Sequence, residues 1–261
     1  MKRTPIEIDI SAYPREFHPI LSGADVYDSS SSKLAKVIFI DKDGGYYLKS
    51  AEKDSLKKDA ELADYFHRKG LTSSVLGYLS EERDWLLTER VHGEDCTHTQ
   101  YLEDPKRLCD TTAELLRMLH GIDHGDCPVQ DKTARYLASA RDNYLNARYD
   151  TSLFPDNWGY DSADEAWQVL QKYGHLLKSD TLLHGDYCLP NIMLDDWRFS
   201  GFIDLGHGGV GDRHIDLFWG VWSLGFNLKT DRYSERFLDA YGRDAVDRDM
   251  LRVVAAAEVF G

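Results

Sequence analysis

The sequence predicts an α+β fold with two lobes, a small N-terminal lobe with an antiparallel sheet and one helix, and a larger, mainly helical C-terminal lobe. Before residue 93, short β-branched and aromatic runs alternate with turn residues, as in antiparallel strands. After it, apolar residues recur at helical spacing over long windows. The 261 residues suit one large domain or two joined lobes. We therefore expect domains at 1–93 and 94–261.

The N-terminal lobe carries the predicted strands. Residues 21–32, with a serine run, are typical of a flexible loop. Strands are expected at residues 33–40, 46–49, 75–79 and 85–88. The run Asp-Lys-Asp-Gly-Gly forms the turn between the first two. A helix is expected over 53–69, where apolar residues recur at helical spacing and Gly70 ends the pattern.

The C-terminal lobe carries the predicted helices. They are expected at residues 104–119, 132–148, 162–177, 212–226, 231–241 and 244–260. Their apolar stripes are typical of core packing. The helix at 212–226 also carries an aromatic face of Trp219, Trp222 and Phe226. A long polar and aromatic loop, 149–161, separates the second helix from the third.

The stretch 182–206 places polar clusters after two short apolar runs. One run leads into His184-Gly185-Asp186, and the other leads into Asp204-Leu205-Gly206. Asn191 and a predicted hairpin at 192–198 lie between them. We expect Asp186, Asn191 and Asp204 to converge from strand and loop ends.

The spacing of these residues matches a kinase catalytic loop. His-x-Asp, four residues and Asn, followed by Asp-x-Gly, are the parts that phosphoryl transfer uses. One carboxylate orients the attacking hydroxyl and accepts its proton, which is the role expected for Asp186. Mg²⁺ is a hard cation that prefers oxygen ligands, and Asn191 and Asp204 offer an amide oxygen and a carboxylate.

Residues 184–191, 200–206 and 212–216 together resemble the aminoglycoside 3′-phosphotransferase family, bacterial resistance enzymes with a protein-kinase-like fold. The similarity extends in patches from about Tyr47 to the C-terminus. The resemblance implies ATP- and Mg²⁺-dependent phosphorylation of an aminoglycoside hydroxyl, with the 3′-hydroxyl expected and GTP as an alternative donor. It also implies that Asp216 braces the catalytic loop.

The resemblance implies a set of nucleotide-binding residues in the N-terminal lobe. Lys49 is expected to hold the α- and β-phosphates and to pair with an acid on the following helix, with Asp59 as the first choice and Glu61 as the second. Tyr47, which strand alternation places on the same face as Lys49, is expected to stack on adenine. The remaining candidates are the hinge backbone at Glu89 and Val91, and Ser22 in the preceding loop.

Substrate residues are implied in the C-terminal lobe. Asp156 stands where the family carries an acid, Asp161 lies close to a second such position, and Glu258 matches an acid near the end of the chain. His207 replaces an arginine, and residues 222–227 lack the family's charged residues. These departures predict a changed drug spectrum or a weaker enzyme.

Composition excludes several other classes of function. The net charge is −14, which disfavours nucleic acid and favours a cationic small molecule. No apolar run approaches the roughly 20 residues of a membrane span, and the first residues lack a signal-peptide core. The four cysteines follow no disulfide or zinc spacing. A cytoplasmic monomer or weak dimer is the expectation.

Two alternatives remain open. One is a kinase of the same fold that acts on another small-molecule hydroxyl, such as a macrolide, choline or a sugar. The catalytic triplet does not separate these substrates, although the acids near the substrate loop favour a polyamine. The other alternative is a nucleotide-binding pseudokinase, which the presence of Lys49, Asp186, Asn191 and Asp204 disfavours.

Overall fold

The computed structural model describes residues 3–31, 35–150 and 159–261. They pack into two compact units. Unit 1 comprises Met1–Asp95 and Ile192–Gly206, and unit 2 comprises Cys96–Asn191 and His207–Gly261. The predicted domain assignment of 1–93 and 94–261 stays a prediction. It did not anticipate that a hairpin from the second half of the chain packs in unit 1, where its first strand pairs with residues 94 and 95.

The strands and helices of the described residues are numbered in chain order. The strands are Thr4–Pro5 (β1), Asp25–Asp28 (β2), Lys36–Asp41 (β3), Tyr46–Glu52 (β4), Val75–Ser80 (β5), Arg83–Glu89 (β6), Glu94–Asp95 (β7), Thr181–Leu183 (β8), Ile192–Asp195 (β9), Arg198–Phe202 (β10) and Gly209–Gly211 (β11). The α-helices are His18–Leu21 (α1), Lys57–Arg68 (α2), Thr99–Leu102 (α3), Pro105–His120 (α4), Lys132–Leu145 (α5), Ala163–Tyr173 (α6), His214–Leu228 (α7), Ser234–Gly242 (α8) and Arg248–Glu258 (α9).

Unit 1 is built on a six-stranded antiparallel sheet in the order β1-β2-β3-β4-β6-β5. Strand alternation gives the sheet two faces. Ile38, Leu48 and Leu87 are buried on one face in a core that includes Phe17. The opposite face carries Tyr47 and Lys49 on β4. The core on the first face therefore fixes which side chains β4 presents on the second.

The sequence expectation for residues 21–32 is wrong in part, because Leu21 ends α1 and Asp25–Asp28 form β2. The composition of this segment predicts a loop, but pairing with β3 satisfies its backbone groups. Val26 is buried in the sheet core. Tertiary pairing thus overrides local turn propensity here.

The predicted hairpin at 192–198 is confirmed as β9 and β10. Its turn residues Asp196 and Trp197 both have positive φ, at 46° and 66°, as a two-residue hairpin turn requires. β9 also pairs with β7. Just before β7, a Cβ on Gly93 would lie 2.1 Å from the carbonyl oxygen of Leu194, so this close approach requires glycine.

Unit 2 is mainly helical, as predicted, and its long helices α4–α9 lie within a few residues of their expected ranges. A large core joins α5, α6, α7 and α9, with Ala140, Leu170, Ile215 and Val254 as buried members. β8 and β11 form a short antiparallel pair. The four cysteines are free thiols, as expected. In the described part of the chain, every helix is too short or too polar to cross a membrane.

Candidate active site

Lys49 is the centre of an ion-pair cluster in unit 1. Its Nζ lies 2.8 Å from Oδ2 of Asp59 and 3.4 Å from Oδ1 of Asp204. Burial would lower the pKa of Lys49, but the charges of Asp204 and Asp59 outweigh it and the pKa is raised. Lys49 therefore remains a cation at neutral pH, ready to bind an anionic group.

The structure selects Asp59 over Glu61 as the acid beside Lys49. Asp59 lies in the first turn of α2, whereas Glu61 is exposed. Residues that are two positions apart in a helix point roughly 200° apart around its axis, so Asp59 and Glu61 face opposite sides of α2. The prediction of Glu61 as the acid that pairs with Lys49 is therefore wrong. A Cβ on Gly206 would lie 2.1 Å from Oδ1 of Asp59, so the glycine of Asp-Leu-Gly leaves room for this carboxylate.

α2 is held in place by Asp84, a residue that the sequence analysis did not identify. Asp84 on β6 is fully buried and accepts hydrogen bonds from the backbone N–H groups of Asp54 and Leu56, at 3.0 and 2.8 Å, and from the hydroxyl of Tyr78. These bonds satisfy donors at the start of α2 and tie the helix to the sheet. No local motif predicts this contact, because Asp84 is 28 positions from Leu56.

Asp204 presents its carboxylate to solvent. Its backbone has φ of 58°, in the left-handed region, and half of its side-chain surface is exposed. Non-glycine residues adopt this conformation at a cost, and such positions cluster at functional sites. An exposed carboxylate beside Lys49 fits a hard cation such as Mg²⁺.

Tyr47 lies on the same sheet face as Lys49 and is half-buried. Its ring packs against Phe39, with the ring centroids 5.2 Å apart. Nη2 of Arg3 donates to the Tyr47 hydroxyl at 2.9 Å, and the guanidinium carbon lies 3.6 Å from the centre of the Phe39 ring. Sequence reasoning found Tyr47 but missed Phe39 and Arg3, which meet it only through tertiary structure.

The predicted hinge residues line a cavity of about 300 Å³ in unit 1. Glu89 donates its N–H to the Ser74 carbonyl, and its own carbonyl accepts from Oγ of Ser73 at 2.6 Å. Val91 is buried, and its N–H has no acceptor among the described residues. An N–H that is unpaired at the wall of a cavity can donate to an adenine edge. Ser22 follows α1 instead, and its carbonyl accepts from Lys42.

In unit 2, Asp186 and Asn191 are joined by hydrogen bonds. Nδ2 of Asn191 donates to Oδ2 of Asp186 at 2.8 Å and to the Asp186 carbonyl at 2.9 Å. A carboxylate only accepts, so the amide nitrogen must face Asp186. This orientation leaves Oδ1 of Asn191 as the atom available to a cation, and it fits an oxygen ligand for Mg²⁺.

Asp216 fixes the catalytic loop before Asp186, as expected. It is fully buried on α7, and its carboxylate accepts from the backbone N–H groups of His184 and Gly185, both at 2.8 Å. Gly185 has φ of 83°, and a Cβ there would lie 1.9 Å from the carbonyl of His207. The loop conformation thus depends on one buried carboxylate and one glycine.

Glu258 differs from the exposed acid that a cationic substrate would meet. It is buried, and Oε1 accepts from the Tyr136 hydroxyl at 2.7 Å and from Nε1 of Trp219 at 3.1 Å. Burial raises its pKa to about 7. Glu258 is therefore only partly ionised at neutral pH.

The remaining substrate candidates have different surroundings. Asp161 is exposed, and its N–H donates to Glu165. His207 is exposed at the end of a 3₁₀ turn. Asp156 lies outside the described residues. The substrate roles of Asp156, Asp161, Glu258 and His207 stay predictions.

The predicted aromatic face of α7 is confirmed. The rings of Trp222 and Phe226 are stacked, with centroids 5.0 Å apart and planes 13° from parallel. Phe226 is 55% exposed, and Nζ of Lys229 lies 4.1 Å from its ring centre. Trp222 is half-buried, so the stacked pair presents an aromatic surface in the segment that lacks the charged residues implied by the resemblance.

Comparison with known proteins gives a consistent family. A model of the phosphotransferase enzyme family matches residues 30–254. The chain is 49% identical to a probable aminoglycoside 3′-phosphotransferase of Lactococcus lactis, over 98% of each sequence. It is also 34% identical to an aminoglycoside 3′-phosphotransferase of Niallia circulans, over 68% of this chain and 67% of that one. These matches confirm the resemblance inferred from the motifs.

Solved structures confirm the predicted fold. A crystal structure of a type VIII aminoglycoside 3′-phosphotransferase superimposes with a TM-score of 0.75 at 24% identity, covering 96% of each chain. A Streptomyces rimosus aminoglycoside phosphotransferase in complex with ADP and streptomycin gives 0.76 at 22% identity, covering 97% of this chain and 99% of that one. The chain has the protein-kinase-like α+β fold and belongs to the phosphotransferase enzyme family.

Proposed function

We propose that this protein transfers the γ-phosphoryl group of ATP to a hydroxyl of an aminoglycoside antibiotic, with the 3′-hydroxyl as the acceptor, and thereby confers resistance. The observation that carries the proposal is the Asp186–Asn191 pair on a loop held by Asp216. The names of the Lactococcus lactis and Niallia circulans relatives support the substrate class and the 3′ position.

Asp186 is the proposed base. Its carboxylate accepts the proton of the substrate hydroxyl as that oxygen bonds to the γ-phosphorus and the bond to the ADP oxygen breaks. Asn191 holds one carboxylate oxygen in place through Nδ2. The products are ADP and a phosphate ester, and the proton passes from Asp186 to solvent.

Lys49 is the proposed phosphate ligand in unit 1. It is charged and held by Asp59 at 2.8 Å, while its contact with Asp204 is longer, at 3.4 Å. A bound phosphate competes with the longer contact and leaves Asp59 as the anchor. We assign Asn191 and Asp204 as Mg²⁺ ligands from their available oxygens. When bound, Mg²⁺ supplies positive charge to the phosphate oxygens.

The remaining nucleotide contacts are proposed from geometry in unit 1. Tyr47 offers an aromatic surface for adenine, and Val91 offers the adenine edge an N–H that has no acceptor among the described residues. The carbonyl of Glu89 keeps a second lone pair beside its bond from Ser73.

We propose ATP as the principal phosphate donor, with GTP as the alternative. We also propose that the enzyme is cytoplasmic and acts as a monomer or weak dimer.

The test is an ADP-release assay with Mg-ATP across a panel of acceptors: kanamycin, the 3′-deoxy aminoglycoside tobramycin, a macrolide and choline. Turnover with kanamycin and none with tobramycin is the expected result, because tobramycin lacks the acceptor oxygen. Turnover only with the macrolide or choline would replace the substrate class. Turnover with none of them, alongside measurable ATP binding, would overturn the enzymatic proposal in favour of a nucleotide-binding protein.

A further inference from the structure

Unit 2 contains a cavity of about 430 Å³ that the proposed reaction does not use. It is lined by Arg117 and His120 near the end of α4, Arg213 before α7, Tyr241 at the end of α8, and Arg243 after it. We call it the arginine cavity. Its volume lies within the range of small-molecule sites in proteins.

Two of the three arginines lack a carboxylate partner. Among the described residues, Arg117 makes no ion pair, and Arg213 donates to the hydroxyl of Thr181 at 3.3 Å. Arg243 is paired with Glu235 and Asp239, at 2.9 and 2.7 Å. The guanidinium groups of Arg117 and Arg213 are therefore available to an anion, in a chain whose net charge is −14.

The cavity holds one further unpaired donor and one acid. Nη1 of Arg243 is buried and has no hydrogen-bond partner within the described residues. Buried guanidinium donors are normally satisfied, and an anion oxygen can accept a hydrogen bond from this one. The exposed carboxylate of Asp244 is the acid that also lines the cavity. Arg243 and Arg248 are balanced by Glu235 and Asp239, so Arg117 and Arg213 against Asp244 leave one net positive charge on the lining.

The wall of the arginine cavity is continuous with the brace of the catalytic loop. The Tyr241 hydroxyl lies 2.8 Å from Nδ1 of His120, whose Nε2 lies 3.2 Å from Oδ2 of Asp216. The same Asp216 oxygen accepts from the backbone N–H of His184. A ligand that engages Arg213 or Tyr241 thus contacts a hydrogen-bond chain that ends at the catalytic loop.

We propose that the arginine cavity is a second oxyanion site, which binds a dianion of the phosphate class. Guanidinium groups match phosphate in charge and in fork geometry, and the two guanidinium groups without a carboxylate partner supply donors for its oxygens. The cavity is larger than inorganic phosphate needs, which leaves room for the organic part of a phosphomonoester. The long-range field of the acidic chain opposes anion binding, so we expect modest affinity that depends on salt.

The first experiment titrates the full chain with inorganic phosphate and, separately, with glycerol phosphate, using calorimetry at constant ionic strength. Arg117→Gln and Arg213→Gln test the cavity, and Arg141→Gln is the matched control on the exposed surface of α5. Lys49→Met removes phosphate binding by the proposed nucleotide site. We expect binding of at least one probe, about tenfold or more weaker in the two cavity variants and unchanged in Arg141→Gln and Lys49→Met.

Some outcomes would overturn the site. They are binding of neither probe to the wild-type chain, binding that the cavity variants leave unchanged, or binding that Lys49→Met abolishes. A difference in affinity between inorganic phosphate and glycerol phosphate supports the site, whichever binds more tightly. The tighter probe shows whether the site prefers free phosphate or a phosphomonoester.

A second measurement does not depend on the folding of a variant. Amide NMR spectra of the wild-type chain are recorded during the phosphate titration. Gly121, Gly242 and Ala245 line the cavity, and changes in their amide chemical shifts support the proposal. Shifts confined to residues elsewhere in the chain overturn it.

Discussion

The side-chain amide of Asn191 can bind the Asp186 carboxylate in only one orientation. Because an ionised carboxylate has no hydrogen to donate, the amide NH₂ must face it and the amide oxygen must face away. A single side chain therefore orients the proposed base and keeps an oxygen for a cation. The spacing of the two residues in the sequence indicated this chemistry, but only the three-dimensional structure gives the direction of the amide.

The clearest prediction for a single residue concerns Asp186. We expect Asp186→Ala to lower kcat by about 10²–10⁴-fold while the Kd for ATP changes little, because the carboxylate acts on the acceptor hydroxyl. Steady-state kinetics and nucleotide titration measure the two quantities. Asp231→Ala, a change at an exposed aspartate of the same unit, should keep ordinary turnover. Near wild-type turnover of Asp186→Ala would remove Asp186 from the mechanism.

Glu258 is a buried acid whose protonation contributes to stability in a pH-dependent way. Burial raises its pKa from 4.5 to about 7 in the folded protein. Between these values the folded state binds a proton that the unfolded state has lost. Stability therefore falls as pH rises through this window, and the loss is complete above pH 7.

Glu258→Gln should remove this dependence, because glutamine carries no charge but keeps an oxygen for Tyr136 and Trp219. We expect the variant to match the wild type near pH 5 and to be more stable at pH 8, by roughly 1–3 kcal/mol. Urea unfolding at both pH values measures the difference. An equal difference at both values would show that Glu258 is not protonated by burial.

At the scale of elements, the helices were predictable and some strands were not. Long helices such as α4 and α7 can be predicted because their apolar residues recur at helical spacing over many positions. β2 does not, because its sequence resembles a loop and its stability comes from pairing with β3. β11 has three residues, two of them glycine, and also depends on its partner strand.

The same distinction applies to the candidate site. Lys49, Asp186, Asn191 and Asp204 follow from motif spacing and resemblance. The acid beside Lys49 was left open between two residues until helix geometry selected one. Asp84 and His120 could not be predicted at all, because their roles depend on residues far along the chain. Supporting contacts of this kind have no local pattern.

Asp216 ties α7 to the catalytic loop, and this link between elements is testable. Asp216→Asn replaces one acceptor oxygen by an NH₂ group that faces a backbone donor. We expect a loss of roughly 2–3 kcal/mol in unfolding free energy and a marked fall in kcat, with the KM for ATP little changed. Chemical denaturation and steady-state kinetics measure these effects.

Asp212→Asn is the matched control, since Asp212 is also a buried aspartate that accepts backbone hydrogen bonds, from Lys178 and His214. It should lose comparable stability but retain kcat, because none of its bonds reaches the catalytic loop. An equal fall in kcat for both variants would mean that the loss reflects general destabilisation and not loop positioning.

At the scale of the whole molecule, charge is the property that distinguishes the two proposed substrates. The chain has 45 acidic and 31 basic residues, which gives −14. An aminoglycoside carries several ammonium groups, so the protein's field attracts it, while the same field repels ATP. Such steering acts over long distances and is screened by salt, with a Debye length of about 10 Å at 0.1 M.

We therefore expect opposite salt dependences for the two substrates. Raising KCl from about 50 to about 300 mM should lower kcat/KM for kanamycin on the order of threefold to tenfold, because screening removes the attraction. Over the same range, kcat/KM for Mg-ATP should stay constant or rise, because screening relieves repulsion. A titration with sucrose at matched osmolality controls for effects on hydration and viscosity. A parallel fall for both substrates would instead indicate that salt weakens the folded enzyme, and the acidic surface would then have no part in capturing the substrate.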